Sequence, residues 1–576
     1  MSAAAVNPGR PTAASPTGAA DLADATPSGA LDPRRWKALV VLCLALVVVS
    51  MDALIVNVAL PTIGAALGAG TGQLQWVVDA YTIAFAGAVL SAGSLGDRFG
   101  RRRALGAGLV VVVVGSLVGA VATTPGVLIT GRAIMGLGGA LVCPATLSIV
   151  THTFPRSERG KALAVWSSFS ALGIIVGPPI GGLLVERFWW GSVFLINVPL
   201  ALVLLVLAWR LVPESRDSRR TPLDVPGAIV SAAALVALVY AIIEVPGRGW
   251  ADARTVTAFG TAALLLGAFV GRQRRAAHPL LPVGLFRNPR FSAANASLAL
   301  SFLAMAGTLF VLTQMLQGVL QFSPLRAGVA MLPAASLVLT APFAAPLVRR
   351  VGTTAVVSGG LAVQAVGILV AATGTGVLGY PRIAAALTLF GLGMGLAMPA
   401  ATESIMNSLP IDRAGVGSAL NDTTRNVGGA LGVAVIGSVL SAVYRSNVAP
   451  DLSSLPGPLH DAAQGSLGGA LGVAGAIGRD GGALASAARD AFVAGSSASL
   501  AVAAGVLGLG AVLAGALLPS RDKRPGGEPS GTSKRGEASS LPHPGTDSRL
   551  PTGTRAVSGR GLPRARPTHT PPPSRQ

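Results

Sequence analysis

Three charged side chains stand alone in long apolar stretches and are the first candidates for chemistry in this chain. Asp52, Asp79 and Arg132 are each the only charged residue of such a stretch. A charge in the hydrocarbon region of a membrane costs several kcal/mol and usually marks a transport pathway or a proton relay. Burial disfavours the charged form of a carboxyl group, whereas a nearby arginine favours it. Such a balance suits a carboxylate that binds and releases a proton.

Long apolar helices must position these residues. A helix needs about 20 apolar residues to cross a bilayer, and the chain contains fourteen stretches of about this length. The pattern predicts an all-α integral membrane protein with 14 transmembrane helices. The stretches are 38–60, 74–96, 104–123, 126–150, 161–185, 190–210, 224–245, 253–271, 293–319, 326–348, 352–374, 382–408, 415–443 and 492–518.

The three isolated charges are expected at similar depth in the membrane. At a rise of about 1.5 Å per residue, they lie roughly 8–12 Å from the outer ends of their helices. We therefore predict that Asp52, Arg132 and Asp79 couple proton movement to transport. One alternative is a static ion pair that holds the helices together. For Asp79 a further alternative is a place at the membrane interface, because Trp76 and Tyr81 flank it.

The composition excludes several classes of function. Hydrophobic residues make up 51% of the chain and charged residues only 12%, whereas soluble domains have roughly 25% charged residues. The net charge of +20 forms no basic face with interleaved aromatics, so we expect anionic membrane lipid and no nucleic acid as a partner. Cys43, Cys143 and the five histidines show no metal-ligand spacing, and Gly160-Lys161 is followed by Ala162 rather than Ser or Thr. We expect no metal, no cofactor, no ATP-driven transport and no enzyme activity.

The arginines between the stretches predict the orientation. They cluster in alternate loops, and the first two loops on the other side contain neither Lys nor Arg. Positively charged loops stay on the cytoplasmic side, so we expect a multi-pass protein of the plasma membrane with both termini in the cytoplasm. The segments 1–36 and 519–576 are rich in Pro, Gly, Ser, Thr or Ala, and we expect both to be disordered.

The segment 93–103 joins the second and third stretches and reads GSLGDRFGRRR. It resembles the signature loop of the major facilitator superfamily of secondary transporters. Asp97 stands at a helix C-terminus, where the macrodipole disfavours an acid, so it needs a partner. The candidates are Arg98, Arg101 and the positive N-terminus of another helix. The resemblance implies a latch between the two halves, with the thirteenth helix as partner; alternatively, the arginines only set the topology. The residues expected in the latch are Gly93, Asp97, Arg98, Gly100 and Arg101.

Further motifs extend the resemblance over residues 38–445, to the fourteen-span drug:proton antiporters. Segment 51–61 reads MDALIVNVALP, 131–139 reads GRAIMGLGG and 173–182 reads GIIVGPPIGG. The last is similar to the antiporter motif of that family. Glycines four residues apart allow close helix approach and prolines bend a helix, which suits a moving domain interface; ordinary packing is the alternative. The residues concerned are Gly173, Gly177, Pro178, Gly181 and Gly182.

The resemblance implies two six-helix bundles with inverted repeats plus two extra helices, and a midplane cavity between the bundles. Gln314, Gln317 and Met394 are candidates for the lining of that cavity. The expected segments are a disordered cytoplasmic N-terminus at 1–36, a first bundle at 37–211, two inserted helices at 212–275, a second bundle at 276–518 with a long outer loop at 445–491, and a disordered basic cytoplasmic tail at 519–576. Within the long loop, short interfacial helices in the stretch 453–490 are the alternative.

A second group of charges is expected near the inner ends of the twelfth and thirteenth helices. It consists of Glu403, Asp422 and Arg425. Asp422 and Arg425 are three residues apart and therefore share a helix face. A structural pair within one helix and a contact with substrate or proton are the two alternatives for these charges.

The function implied by the resemblance is proton-coupled efflux of small organic compounds by alternating access. Antibiotic or multidrug export, including self-resistance of a producing bacterium, is the expected form. One alternative is a dedicated exporter of a single secondary metabolite or lipid. Another is a membrane sensor that transports nothing, against which the intact motifs argue. We expect a monomer whose partners are a small-molecule drug or metabolite, protons and membrane lipid.

Overall fold

The computed structural model describes residues 33–216, 224–277, 279–373, 379–408, 414–453, 455–478 and 481–518. Within these ranges fourteen helices are long and apolar enough to cross a membrane, as the sequence predicts. They are α1 (Arg35–Leu67), α2 (Thr71–Phe99), α3 (Arg101–Ala120), α4 (Pro125–Thr153), α5 (Arg156–Arg187), α6 (Ser192–Leu211), α7 (Val225–Arg248), α8 (Ala253–Arg275), α9 (Pro289–Val319), α10 (Pro324–Val351), α11 (Thr353–Ala372), α12 (Tyr380–Asn407), α13 (Ala414–Val448) and α14 (Gly481–Leu517).

The helices form two bundles with the same packing pattern. In the first bundle, α1 packs on α5, and α4 packs on both α2 and α3. In the second, α9 packs on α13, and α12 packs on both α10 and α11. Each of these pairs in the second bundle repeats a pair of the first, eight helices further along the chain. The predicted fold class of two six-helix bundles plus two extra helices is confirmed.

The two extra helices lie at one seam between the bundles. Helix α7 packs on α8, on α2 of the first bundle and on α13 of the second. At the same seam α2 and α13 also contact each other directly. On another side the bundles meet through α5 and α10. The core on each side of these seams is built from buried aliphatic and small residues, as expected for membrane helices.

Between α13 and α14, in the segment expected as a long outer loop, the chain forms two short helices, in line with the alternative of short interfacial helices within 453–490. Helix α13 extends to Val448, two short helices cover Gly457–Gly465 and Leu467–Ile477, and α14 already begins at Gly481. The two short helices are called the cap helices below. They are too short to cross a bilayer. The second buries apolar side chains against α14 and α1, and the first packs on the second and on α13. The buried residues of the second cap helix are Leu467, Ala470, Val473 and Ala474.

The predicted disorder at the two ends of the chain stays a prediction. Residues 1–32 and 519–576 lie outside the described residues, and so does the loop residue His278. Helix α1 begins at Arg35, two residues before the start of the predicted first bundle. It ends at Gly68, whose φ of 62° is a conformation that favours glycine.

Candidate functional site

The isolated charges Asp52 and Arg132 form a buried ion pair between α1 and α4. The Arg132 Nη1 atom donates to the Asp52 Oδ2 atom over 2.9 Å. The other carboxylate oxygen, Oδ1, accepts a hydrogen bond of 2.8 Å from the amide nitrogen Nδ2 of Asn197 on α6. Only 1% of the Arg132 side chain and 3% of the Asp52 side chain are exposed. Three helices of the first bundle therefore meet at one carboxylate.

Helix α2 holds the Arg132 guanidinium from the other side. Its Nε atom donates to the carbonyl oxygen of Val77 over 3.1 Å. The Tyr81 ring lies 4.4 Å from the Arg132 Cζ atom, a distance that allows a cation–π interaction. The Tyr81 hydroxyl in turn donates to the carbonyl oxygen of Val49 on α1. The Nη2 atom of Arg132 is buried and has no hydrogen-bond partner among the described residues.

Glycines in the segment 131–139 allow this close approach. A Cβ atom at Gly136 would clash with the carbonyl oxygen of Tyr81, and one at Gly139 would lie 3.0 Å from the Tyr81 hydroxyl. A larger residue at these positions would push α4 away from α2 and move Arg132 with it. The glycines next to Arg132 therefore have a positioning role that the sequence motif alone does not reveal.

Asp79, expected at a similar depth to Asp52 and Arg132, does not contact that pair. Arg132 binds the backbone carbonyl of Val77 instead. Asp79 is fully buried, and neither of its carboxylate oxygens has a hydrogen-bond partner within the described part of the chain. Whether Asp79 lies at the membrane interface stays a prediction. A buried charged carboxylate without a partner is costly.

In the second bundle Asp422 and Arg425 form the predicted pair within α13. Their closest charged atoms, Oδ1 and Nη1, are 3.9 Å apart, and the side chains are 31% and 24% exposed. The Arg425 Cζ atom also lies 5.4 Å from the ring of Phe302 on α9. Glu403, near the end of α12, is exposed and does not take part in this pair. The structure therefore supports the intrahelical pair but not a cluster of all three charges.

The segment 97–103, called the arginine loop, is stabilised by two acids: Asp97, which belongs to the loop, and Glu214, which lies outside it. The Arg101 Nε atom donates to the Asp97 Oδ1 atom over 2.8 Å. Glu214, just after α6, accepts a hydrogen bond of 3.1 Å from the backbone nitrogen of Arg102. Its Oε2 atom lies 3.8 Å from the Nε atoms of Arg102 and Arg103. Gly100 has a φ of 113°, and a Cβ atom there would lie 2.7 Å from the Glu214 Oε1 atom.

Glu214 is not among the site residues predicted from the sequence, although it is an acid in a loop rich in arginines. Arg98, Arg101 and the N-terminus of the thirteenth helix were the candidate partners of Asp97, and the structure shows the contact with Arg101. Most side chains of the first turn of α13 lie outside the described residues. A contact between Asp97 and that helix therefore stays a prediction.

Replacing Glu214 by Gln is expected to loosen the arginine loop. The substitution keeps an oxygen acceptor but removes the charge that faces two guanidinium groups. Hydrogen bonds to charged groups contribute about 1.5–3 kcal/mol, so we expect the free energy of unfolding to fall by roughly that amount. The measurement is reversible denaturant unfolding of the detergent-solubilised protein. Glu244→Gln, which removes the Arg248 partner at an exposed helix end, is the matched control, with a loss of less than about 0.5 kcal/mol. Equal losses in both variants would contradict this role of Glu214.

The glycines of the antiporter motif lie on two faces of α5. Gly173, Gly177 and Gly181 face α1, and Cβ atoms there would lie 2.8–3.1 Å from the backbone oxygens of Val47, Met51 and Ile55. This face therefore packs directly beside Asp52. Gly182 faces α10 of the other bundle, where a Cβ atom would clash with the carbonyl oxygen of Pro324. The reverse contact is formed by Gly328 of α10 against the carbonyl oxygen of Pro178.

The two bundles are joined at the end opposite to the arginine loop. Three side chains cross between them to backbone groups. Gln317 donates to the carbonyl oxygen of Val58 over 2.8 Å, Gln75 donates to that of Val433 over 2.9 Å, and Glu186 accepts from the nitrogen of Leu325 over 3.0 Å. The Thr71 hydroxyl also donates to Gly465 of the first cap helix. This end of the molecule is closed.

A small apolar cavity lies beneath this closed end, between the bundles. Its volume is about 60 Å³, and it is lined by residues of α1, α5, α9, α10 and α12, including Leu54, Pro178 and Met394. Met394, a predicted candidate for the lining of the midplane cavity, lines this small cavity. Gln314 instead donates to the carbonyl oxygen of Phe310 in its own helix. The volume is far below the roughly 300–1,000 Å³ of small-molecule pockets, as expected for a closed end.

Comparison with known proteins gives consistent results. Residues 42–433 match the family model described as "Major Facilitator Superfamily". The chain is 36% identical over 457 residues to "Multidrug efflux pump LfrA" of Mycolicibacterium smegmatis, covering 78% of this chain and 90% of that protein. It is 33% identical over 428 residues to "Tetracenomycin C resistance and export protein" of Streptomyces glaucescens, covering 74% and 79%. Among solved structures, the chain is similar to a bacterial homolog of the human lysosomal transporter Spinster in its inward-facing, unoccupied conformation. The TM-score is 0.59 and the sequence identity 17%, and the match covers 84% of this chain and 98% of that chain.

Proposed function

This chain belongs to the major facilitator superfamily, and from that premise we propose that it exports small organic compounds in exchange for protons. Its relatives make it a multi-pass membrane transporter of the efflux type and not an enzyme. The relatives' printed names include a multidrug pump and an antibiotic-resistance exporter. We infer that antibiotics or other drugs are the substrates here, with export of one secondary metabolite or lipid as the second candidate.

The buried carboxylate of Asp52 is the observation that carries proton coupling. It lies on α1 at the point where α4, α5 and α6 converge, and its contacts are a guanidinium and an amide. An ion pair this deeply buried is weak evidence for stability, because desolvation offsets the attraction between its members. A role in binding and releasing a proton explains why it is there. Asp79, buried and unpartnered, is a second residue for the same path.

Alternating access is supported by the contacts between the bundles. The closed end is held by a few hydrogen bonds and by glycine contacts with backbone atoms. These contacts can all break together when the two bundles move apart, and the hydrophobic core within each bundle stays intact. We propose that the arginine loop, through Asp97 and Arg101 with Gly93, Arg98 and Gly100, forms the corresponding latch at the other end. On the positive-inside rule that end faces the cytoplasm, together with both termini.

A measurement of proton movement tests this function. Drugs from a panel of antibiotics and dyes are added to energised inverted vesicles that contain the protein, and proton release from the vesicles is recorded. We expect release with several unrelated compounds, and none from vesicles made without the protein. Release with one compound only would support the dedicated exporter. No release with any compound, in vesicles that bind the same compounds, would overturn the coupling.

A further inference from the structure

A large apolar cavity lies outside the central region of the molecule, at the seam where α7 and α8 join the bundles. Its volume is about 540 Å³, and its walls come from α2, α7, α8 and α13, with Leu281 at one end. Two of the lining residues carry hydroxyl groups, and both bond within their own helices: Ser231 to the carbonyl of Ala228 and Thr423 to that of Ala419. The cavity therefore offers hydrocarbon-like surface and no unbonded hydroxyl.

This cavity opens toward the membrane. Leu266, on the outermost helix α8, lines the cavity and is 54% exposed. Ala263, one turn earlier, also lines it and is exposed. Phe269 is buried and stands where the cavity approaches the end of α8. An occupant can thus enter sideways from the hydrocarbon region without passing through the central cleft.

A second cavity of about 690 Å³ lies just beyond the end of α8. It is lined by Gln273, Arg274 and Arg287, among others. Gln273 follows Phe269 by one helical turn, so the two residues share a face of α8. The Gln273 Oε1 atom accepts from the backbone nitrogen of Leu281, which lines the apolar cavity. The contact between Gln273 and Leu281 therefore joins the lining of the polar cavity to that of the hydrocarbon-like cavity.

The polar cavity carries positive charge. Asp224 is the nearby acid, and it is already neutralised: the Arg272 Nε atom and the Gln273 Nε2 atom donate to it over 2.8 and 2.9 Å. Burial alone would raise the pKa of Asp224, but these hydrogen bonds and that of the Gly227 nitrogen lower it. Arg274 and Arg287 are both exposed, and neither has an ion-pair partner in the part of the chain that the structure describes.

We propose that the two cavities together bind one anionic phospholipid. An acyl chain fills the apolar cavity between α2, α7, α8 and α13, and Arg274 and Arg287 bind the phosphate. Basic pockets beside membrane helices are sites for anionic headgroups, and each methylene of a buried acyl chain adds to the affinity. The charge excludes a cationic drug as the preferred occupant. Free phosphate would leave the apolar cavity unused. This site requires only that the protein spans a membrane, and it is independent of proton coupling.

Lipid retention measured by native mass spectrometry tests the proposal. The full-length protein is purified in detergent, mixed with equimolar phosphatidylglycerol and phosphatidylcholine, and examined for bound lipid. We expect one phosphatidylglycerol per chain on the unmodified protein, reduced at least fivefold in the Arg274→Gln/Arg287→Gln variant. Ala263→Trp, which fills the apolar cavity from an exposed position, is expected to cause a similar loss. Arg275→Gln removes an exposed arginine of the same helix turn that does not line the cavity, and it is expected to retain the lipid.

Each other result counts against the site. Equal retention of phosphatidylcholine would contradict binding of an anionic headgroup. Loss in the arginine variant with full retention in Ala263→Trp would show that no acyl chain enters the cavity. Equal loss in Arg275→Gln would indicate general attraction to a basic surface. Because lipid binding is read without transport, failure of this site and failure of the proposed efflux are separate results.

Discussion

Vesicles that carry Asp52→Asn are expected to release no protons when a drug is added, while drug binding to the protein remains. Asparagine at position 52 can still accept a hydrogen bond from Arg132. Asn197, whose Oδ1 atom has no partner among the described residues, can rotate its amide to accept from the new side chain. The geometry is therefore kept, but the group that exchanges a proton is gone. The measurements are drug-induced proton release and equilibrium binding of the same drug.

This substitution also leaves Arg132 as a buried charge without a counterion. Breaking a buried ion pair on one side costs about 3–5 kcal/mol, so Asp52→Asn alone is expected to lower the free energy of unfolding by roughly that amount. The Asp52→Asn/Arg132→Gln double variant removes both charges and is expected to recover most of this loss. It is the matched control, because it separates stability from proton coupling.

The double variant decides between the two roles of the pair. If Asp52 carries the proton, the stable double variant still releases none. If the pair only holds α1 and α4 together, the double variant couples drug movement to protons as well as the unmodified protein does. That second result would remove Asp52 from the coupling path and leave Asp79 as the remaining buried acid of the first bundle.

Gly182→Val is expected to hold the protein open at the end opposite to the arginine loop and to abolish most transport. A side chain at this position meets the carbonyl oxygen of Pro324 and the Cα atom of Leu325 across the seam. These are backbone atoms, so no side-chain rotation relieves the contact. Overpacking costs about 1–3 kcal/mol, which shifts the balance between the open and closed states by about 5–150-fold.

Distances between spin labels measure this shift. Labels are placed at the exposed residues Phe188 and Val329, on the two sides of the seam, in a protein whose cysteines Cys43 and Cys143 are replaced by alanine. We expect a longer distance in Gly182→Val than in the unmodified protein. Gly160→Val is the control, since Gly160 also lies in α5 but has nothing within 4 Å of its Cβ position. An unchanged distance between the spin labels in Gly182→Val would contradict the role of this contact in closing the seam.

The fourteen helices and the Asp52–Arg132 pair were predictable because a membrane makes strong demands on a sequence. Apolar length marks a spanning helix, and a lone charge in such a helix needs a partner. The depth of a residue in the membrane can be calculated from its position in the helix, but the rotation of the helix about its axis cannot. That rotation brings the carbonyl of Val77 and the ring of Tyr81 to Arg132, and not the carboxylate of Asp79. Similar depth alone therefore did not show which of the two carboxylates contacts Arg132.

Contacts between distant neutral or loop residues were not predictable. Asn197 carries no charge, so nothing in its own helix indicates that it binds a residue 145 positions earlier. Glu214 lies 112 positions from Arg102, and only the fold brings the end of α6 to the arginine loop. The cap helices lie in a stretch expected as a long loop, with short interfacial helices as the alternative, because it is rich in Gly, Ala and Ser and contains several Asp and Arg residues. The second cap helix folds because its apolar side chains are buried against α14 and α1.

The position of α7 makes the two side walls of the transporter mechanically different. At the α5–α10 wall, glycines meet backbone atoms directly, so the wall is rigid and can only part or close. At the other wall α7 packs against α2 and α13, which belong to opposite bundles. In the proposed alternating-access cycle, movement of one bundle relative to the other shears one of these two contacts. We therefore expect resistance to this movement to be concentrated on the α7 flank, and the composition of the surrounding bilayer to affect the turnover rate from there.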